Sequence, residues 1–279
     1  MNRRDFITTT SSGTVAFTAG ATAVSTLTLA LAPKAEAADA APAASTREFY
    51  ELRRVHLRRG PRQKIFDDYL RDAYIPALGR HGIGPVGAFH VMVGPESPSV
   101  WILTPFKSLD EFAALSGKLR VDDEYKKAAA EIRSLPASDP AYVRNESWLL
   151  GSIASVPKLE VPAQTKAGKG RVFELRTYES HSKGANWKKI EMFDIGETAL
   201  FRRAGLAPVF FGEALVGSRL PSLTYMLVFD DLTARDEAWR TFGGYPEWKK
   251  LSSTPGYTDP EIVTDISNQL LRPAPYSQI

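Results

Sequence analysis

Two short strand motifs carry most of the ionisable chemistry in this chain: Glu51-Leu52-Arg53 and Glu174-Leu175-Arg176. Side chains two apart on an extended strand share a face, so each glutamate stands beside its arginine. Arginine offers five donors, more than one carboxylate can take. Such a face either fixes how a sheet packs or floors a pocket that holds a carboxylate or carbonyl through the guanidinium. Tyr178 extends the second set by one further position on the same face. His90 sits mid-strand, and Glu213 occupies the corresponding repeat position. A histidine and a glutamate so related suit an acid–base pair or part of an iron site, while local hydrogen bonding is the simpler role for each. Too few further ligands accompany them to complete a centre, so no metal is expected. His56, His81 and His181 fall at strand or loop ends and read as surface residues.

Several chemistries are absent by composition. The chain has no cysteine, which removes disulfides, thiolate ligands and cysteine nucleophiles. No two histidines have helical ligand spacing, no glycine-rich phosphate loop opens a helix, and no serine elbow supports a hydrolase.

The elements that position these residues come as a repeat. Tyr50-Glu51-Leu52-Arg53 returns as Phe173-Glu174-Leu175-Arg176, an offset of 123 residues. The offset persists downstream. Arg80 to Val86 returns as Arg203 to Val209, Gly94 as Gly217, Pro98-Ser99 as Pro221-Ser222, Phe106 as Phe229, and Glu124-Tyr125-Lys126-Lys127 as Glu247-Trp248-Lys249-Lys250. A period of that length means two copies of one domain rather than a solenoid.

Within the first copy, alternation predicts a strand over 49–57, and a helical stripe through Phe66, Tyr69, Leu70, Ala73 and Ala77 predicts a helix over 64–78 that Pro76 bends or ends. Strands over 86–93 and 100–106 with a short turn predict an antiparallel hairpin. Ser108 with Glu111 three residues on reads as a capping box. Helical pieces and a last strand over 145–150 complete the order β-α-β-β-α-β. The second copy repeats it. The fold class is therefore α+β: two tandem ferredoxin-like units, expected to form one barrel within the chain. Their domains are 47–151 and 171–279, joined by residues 152–170, which are rich in lysine, proline and glycine and read as an exposed linker. Trp239, Phe242, Tyr245 and Trp248 form an aromatic group suited to packing or to a lid.

The chain opens Asn2-Arg3-Arg4-Asp5-Phe6-Ile7, which resembles a twin-arginine export signal. An uncharged run and Ala35-Glu36-Ala37 follow, an A-x-A cleavage pattern. Residues 1–37 are expected to be removed after export to the periplasm, leaving a flexible tail over 38–46. Cleavage lowers the net charge from +3 to +2, which makes no case for nucleic acid. No later stretch is apolar enough to cross a membrane.

The segment Phe173-Glu174-Leu175-Arg176-Thr177-Tyr178 resembles the opening strand of NIPSNAP domains. Tyr225 to Leu232 through Arg235, Trp239, Phe242 and Pro246-Glu247-Trp248-Lys249-Lys250 resembles their closing signature. The second copy matches well. The first is degenerate: Tyr178 has become Val55, Trp248 has become Tyr125, and Arg235 and Trp239 have no clear counterpart. The resemblance implies a dimeric α+β barrel, a fold whose relatives include small monooxygenases and haem-binding enzymes, and it fixes no reaction. It implies a small molecule bound in or near the barrel, with a cofactor-free or haem-dependent oxygenase and a protein-interaction module as the other readings. No cofactor is indicated by the residues themselves; haem enters only by structural analogy. Homo-oligomerisation is compatible with all three. The residues expected on the barrel interior are Glu51, Arg53, His90, Glu174, Arg176, Tyr178 and Glu213.

Overall fold

The computed structural model describes residues 47–279. The expected signal peptide and the tail after it lie outside the described residues.

The first copy runs β1 (Phe49–Leu57), α1 (Arg62–Tyr69), a π-helical turn (Leu70–Tyr74), α2 (Ile75–Arg80), β2 (Gly87–Val93), β3 (Ser99–Phe106), α3 (Leu109–Val121), α4 (Asp123–Ala128), α5 (Ala130–Ser134) and β4 (Tyr142–Ser152). A short helix, α6 (Ala163–Lys166), lies between the copies. The second copy runs β5 (Val172–Glu179), α7 (Lys183–Met192), a π-helical turn (Phe193–Glu197), α8 (Thr198–Ala204), β6 (Ala207–Val216), β7 (Ser222–Phe229), α9 (Leu232–Gly244), α10 (Pro246–Ser252), α11 (Asp259–Ile262) and β8 (Asp265–Pro273).

Local chemistry sets these limits. Ser108 caps α3 by accepting from the Glu111 amide at 3.1 Å. The Glu111 carboxylate returns to the amide of Lys107, one residue before the position a capping box requires. Asp231 caps α9 in the same place of the second copy. Gly82 and Gly205, one repeat apart, both take positive φ just past a helix end, where a Cβ is strained. Pro76 does not cause the break in the first long helix. The second copy has the same π-helical turn with Ala199 in the proline's place, so the distortion belongs to the repeat.

Among the described residues eight strands form a closed barrel in the order β1-β3-β2-β8-β5-β7-β6-β4, with every pairing antiparallel. Each copy supplies a four-stranded sheet, and the two sheets join where β2 meets β8 and β6 meets β4. Each edge strand is thereby paired, which removes the exposed edges a single copy would carry. The segment expected to be an exposed linker is pinned. Val156 is fully buried, the Leu159 amide bonds Glu48, and the Glu160 amide bonds the Val209 carbonyl. Its apolar residues fit a gap beside the sheets that its lysines and prolines concealed.

Three larger apolar clusters result, with a small fourth around Ala185, Met192 and Ile262. One lies between the first sheet and its helices, and one between the second sheet and its helices. The third packs the barrel lumen with residues of both copies, including Tyr50, Leu52, Phe89, Phe173, Leu175 and Phe210, and leaves a cavity of about 220 Å3 lined by Leu52, Arg54, Trp101, Leu175, Thr177 and Gln269. Phe89 meets Phe173 at 4.7 Å and Tyr50 meets Phe210 at 5.3 Å, edge to face. The lumen therefore takes the apolar parity of the strands. Glu51, Arg53, Glu174, Arg176 and Tyr178, expected inside the barrel, point outward beneath the helices. Both faces of each sheet are buried, so alternation groups the residues correctly without saying which group faces inward.

Candidate functional site

The outward faces of β1 and β5 carry the same Glu-x-Arg pair in two states. In the second copy Glu174 is completely buried. It accepts hydrogen bonds from Arg235 Nε at 2.9 Å and Nη2 at 2.7 Å, Trp239 Nε1 at 2.8 Å, Arg176 Nη1 at 2.7 Å and Asn268 Nδ2 at 3.2 Å. Arg235 and Trp239 stand four apart on α9, so one helix face delivers both donors to one carboxylate. The Arg176 guanidinium lies 4.7 Å from the Trp239 ring centroid. Burial opposes ionisation of Glu174, but the Arg235 hydrogen bonds, the Arg176 charge and the indole N–H hold its pKa below the usual glutamate value. Below this cluster Tyr225 donates to Tyr178 at 2.8 Å. The second copy is thus closed by its own side chains.

In the first copy the same strand position opens onto a cleft of about 590 Å3 beneath the helices, with Glu51 and Arg53 in its floor. Phe112 stands where the repeat has Arg235, and Ser116 where it has Trp239. Phe112 turns to pack edge to face on Phe106 at 5.4 Å. Neither donor of the second copy is replaced. Glu51 Oε1 accepts from Ser147 at 2.9 Å, the strand position opposite Arg53 that Asn268 holds opposite Arg176. Glu51 Oε2 has only Arg53 Nε, at 3.5 Å, and that buried Nε has no hydrogen-bond partner. The Arg53 guanidinium stacks on Tyr74 at 4.6 Å instead of on an indole. Tyr69 and Tyr125 share a hydrogen bond of 3.0 Å across the cleft, and burial pushes the Tyr69 phenol up, so it stays protonated.

Arg120, Lys126 and Arg133 complete the cleft wall. In the second copy Gly243 and Gly256 stand at the positions of Arg120 and Arg133. Among the described residues neither arginine forms an ion pair. Lys126 pairs with Asp123 and Arg53 lies beside Glu51, so Arg120 and Arg133 are the wall cations that give the cleft a field suited to an anion, and its phenylalanine, leucine and tyrosine walls suit an apolar body.

The other expected site residues are not brought together. His90 meets Asp67 at 3.1 Å under the first copy's helices, and Tyr276 also donates to Asp67. Burial opposes ionisation of Asp67, yet these two hydrogen bonds keep its pKa low. Glu213 accepts from Lys183 at 2.9 Å and Trp187 at 3.3 Å under the second copy's helices. Neither residue reaches the lumen, and they form no acid–base pair. His56, read as surface, is 6 % exposed at one barrel mouth. Its Nδ1 lies 2.9 Å from Glu96, its Nε2 contacts Glu146, and Arg54 Nη2 lies 2.7 Å from the same Glu146 oxygen. These three could in type hold a cation, but the imidazole spends both nitrogens on carboxylates and a guanidinium holds the cation's place. Haem does not fit the open cleft either. No histidine lines it, and its buried phenols are held away from the phenolate form a tyrosine ligand requires.

The sequence profile of the NIPSNAP family matches residues 50–138 and 173–278. The chain belongs to the NIPSNAP family. Both matched stretches span a Glu-x-Arg strand and the helices over it, so this NIPSNAP chain carries two versions of one site. No curated protein matches it. Among solved structures, a candidate monooxygenase of Lactobacillus acidophilus NCFM is similar at 9 % identity and TM-score 0.53, covering 81 % of this chain and 93 % of its own. One from Fusobacterium nucleatum is similar at 9 % identity and TM-score 0.51, covering 82 % and 93 %. At that identity the likeness shows the α+β barrel alone. A NIPSNAP-like domain protein of Burkholderia xenovorans is 19 % identical over 38 % of this chain and 88 % of its own, with TM-score 0.35. Sequence reasoning missed that Arg235 and Trp239 serve Glu174; an arginine and a tryptophan four apart on one helix were the available signal.

Proposed function

We propose that this NIPSNAP protein binds a small anionic molecule in the sheet–helix cleft of its first copy, outside the barrel lumen. The observation that carries the reading is the exchange of Arg235 and Trp239 for Phe112 and Ser116, which leaves Glu51 and Arg53 under an open, cation-walled cleft. Arg120 and Arg133, without ion-pair partners among the described residues, can meet a carboxylate or enolate at the cleft wall with charge assistance. Native mass spectrometry of protein purified from its own host tests this. A small molecule retained by the parent and lost from the Phe112→Arg, Ser116→Trp double variant supports the reading; equal retention by both overturns it.

Catalysis is a second reading, favoured by one detail. Glu51 Oε2 has no hydrogen bond and faces the space a ligand would fill, so it can accept a proton from a bound hydroxyl. Ligand-dependent oxygen uptake by the purified protein, abolished in Glu51→Ala, is the measurement for it. Export by the twin-arginine route is part of the proposal and rests on Arg3, Arg4 and the Ala35-Glu36-Ala37 pattern. Lysine at both arginines should retain precursor in the cytoplasm; normal export of that variant rejects the route. Among the described residues no helix is long and apolar enough to cross a membrane.

A further inference from the structure

We infer that the molecule is a flat aromatic acid with an N–H or O–H donor at the end away from its anionic group, an indole- or hydroxyarene-carboxylate. The inference rests on the cleft being the binding site. The second copy displays what its own version of the space accepts. Trp239 lays an indole across the Arg176 guanidinium at 4.7 Å and donates its N–H to Glu174 Oε2 at 2.8 Å. In the first copy the carboxylate side of that contact is unused, while the Arg53 guanidinium already lies over Tyr74 at 4.6 Å. Glu51 Oε2 lacks a hydrogen bond, whereas the buried Nε atoms of Arg53 and Arg176 both lack partners, so the carboxylate is what separates the two copies. Ser116 leaves vacant the volume an indole fills 123 residues later. One ring with a donor supplies the hydrogen bond that the carboxylate lacks.

Orientation follows from charge. Glu51 repels an anion from the floor, whereas Arg120 and Arg133, without ion-pair partners among the described residues, attract one at the wall. The two arginines replace Gly243 and Gly256 of the closed copy, so cations stand in the copy that has room for a ligand. Phe112, Leu115 and Leu119 give the ring its apolar sides.

Calorimetric titration of the purified protein with indole-3-acetate tests the class. 1-Naphthylacetate serves as the probe without a donor, and indole as the probe without an anion. Indole-3-acetate should bind about tenfold or more tighter than 1-naphthylacetate, the effect of leaving a buried acceptor unmet. That preference should vanish in Glu51→Ala, with unfolding curves confirming the variant's fold. The Arg120→Gly, Arg133→Gly variant should weaken indole-3-acetate and leave indole unchanged. Equal binding of the two acids, or no binding of indole-3-acetate, overturns the class. If indole-3-acetate binds the Phe112→Arg, Ser116→Trp variant as it binds the parent, the cleft reading itself fails.

Discussion

The two copies share a strand, a glutamate and an arginine, and differ in what stands over them. Over Glu174 the α9 helix places a guanidinium and an indole, and the carboxylate receives five hydrogen bonds from four side chains. Over Glu51 the α3 helix places a phenylalanine and a serine, and the carboxylate receives one. The difference teaches that in this fold a buried carboxylate on β1 or β5 is a socket. Its donors come from the chain's own helix or leave a space that something else can occupy. The contrast extends deeper. Lys189 on α7 and Glu197 in the π-helical turn after it, 3.0 Å apart and both buried, are Phe66 and Tyr74 in the first copy. Both copies have an apolar core, and the second adds buried polar networks where the first has a cleft.

The largest expected effect is on stability. Glu174→Ala strands two arginines and an indole and should cost about 3–5 kcal/mol, the usual result of removing one partner of a buried ionic cluster. Glu51→Ala should cost about 1 kcal/mol, since one hydrogen bond is lost. Urea unfolding of both variants makes the comparison, and equal losses would erase it. Lys189→Phe alone should cost about 3 kcal/mol by leaving Glu197 buried and unpaired, and adding Glu197→Tyr should restore stability to the parent value or above. A double variant no better than the single would show that the first copy's apolar pair does not suit the second copy's packing.

A smaller effect depends on pH. The pKa of Glu174 is lowered in the folded protein, so the unfolded chain binds more protons as pH falls. The stability Glu174 contributes is fully present above the ordinary glutamate value, about 4.3, and is lost as pH falls from there through the lower folded value. Thermal midpoints of parent and Glu174→Gln should converge over that acid range. Parallel curves for the Glu174 pair would contradict the assignment.

The architecture was legible because both of its signals are local or periodic. The 123-residue repeat gave the tandem copies, the short turn before Ser99 gave the hairpin, and Ser108 gave a helix start. The barrel lumen was not legible. Alternation separates Phe173 and Leu175 from Glu174 and Arg176, yet both faces of a sheet sandwiched between helices and a second sheet are buried. Putting the charges inside assumed a wet lumen. The lumen is instead packed around Tyr50, Phe89, Phe173 and Phe210, with a smaller cavity of about 220 Å3 left in it, and Glu174 finds its partners on α9. The cleft was hidden for a related reason. It exists through what Phe112 and Ser116 fail to supply, and only the position of α3 over β1 shows what is missing.

The most direct test of the comparison is a crystal structure of the Phe112→Arg, Ser116→Trp variant. The introduced guanidinium and indole should both donate to the Glu51 carboxylate, as Arg235 and Trp239 donate to Glu174, and the cleft of about 590 Å3 should be gone. If both new side chains point to solvent and the cleft persists, the two copies are not open and closed forms of one site.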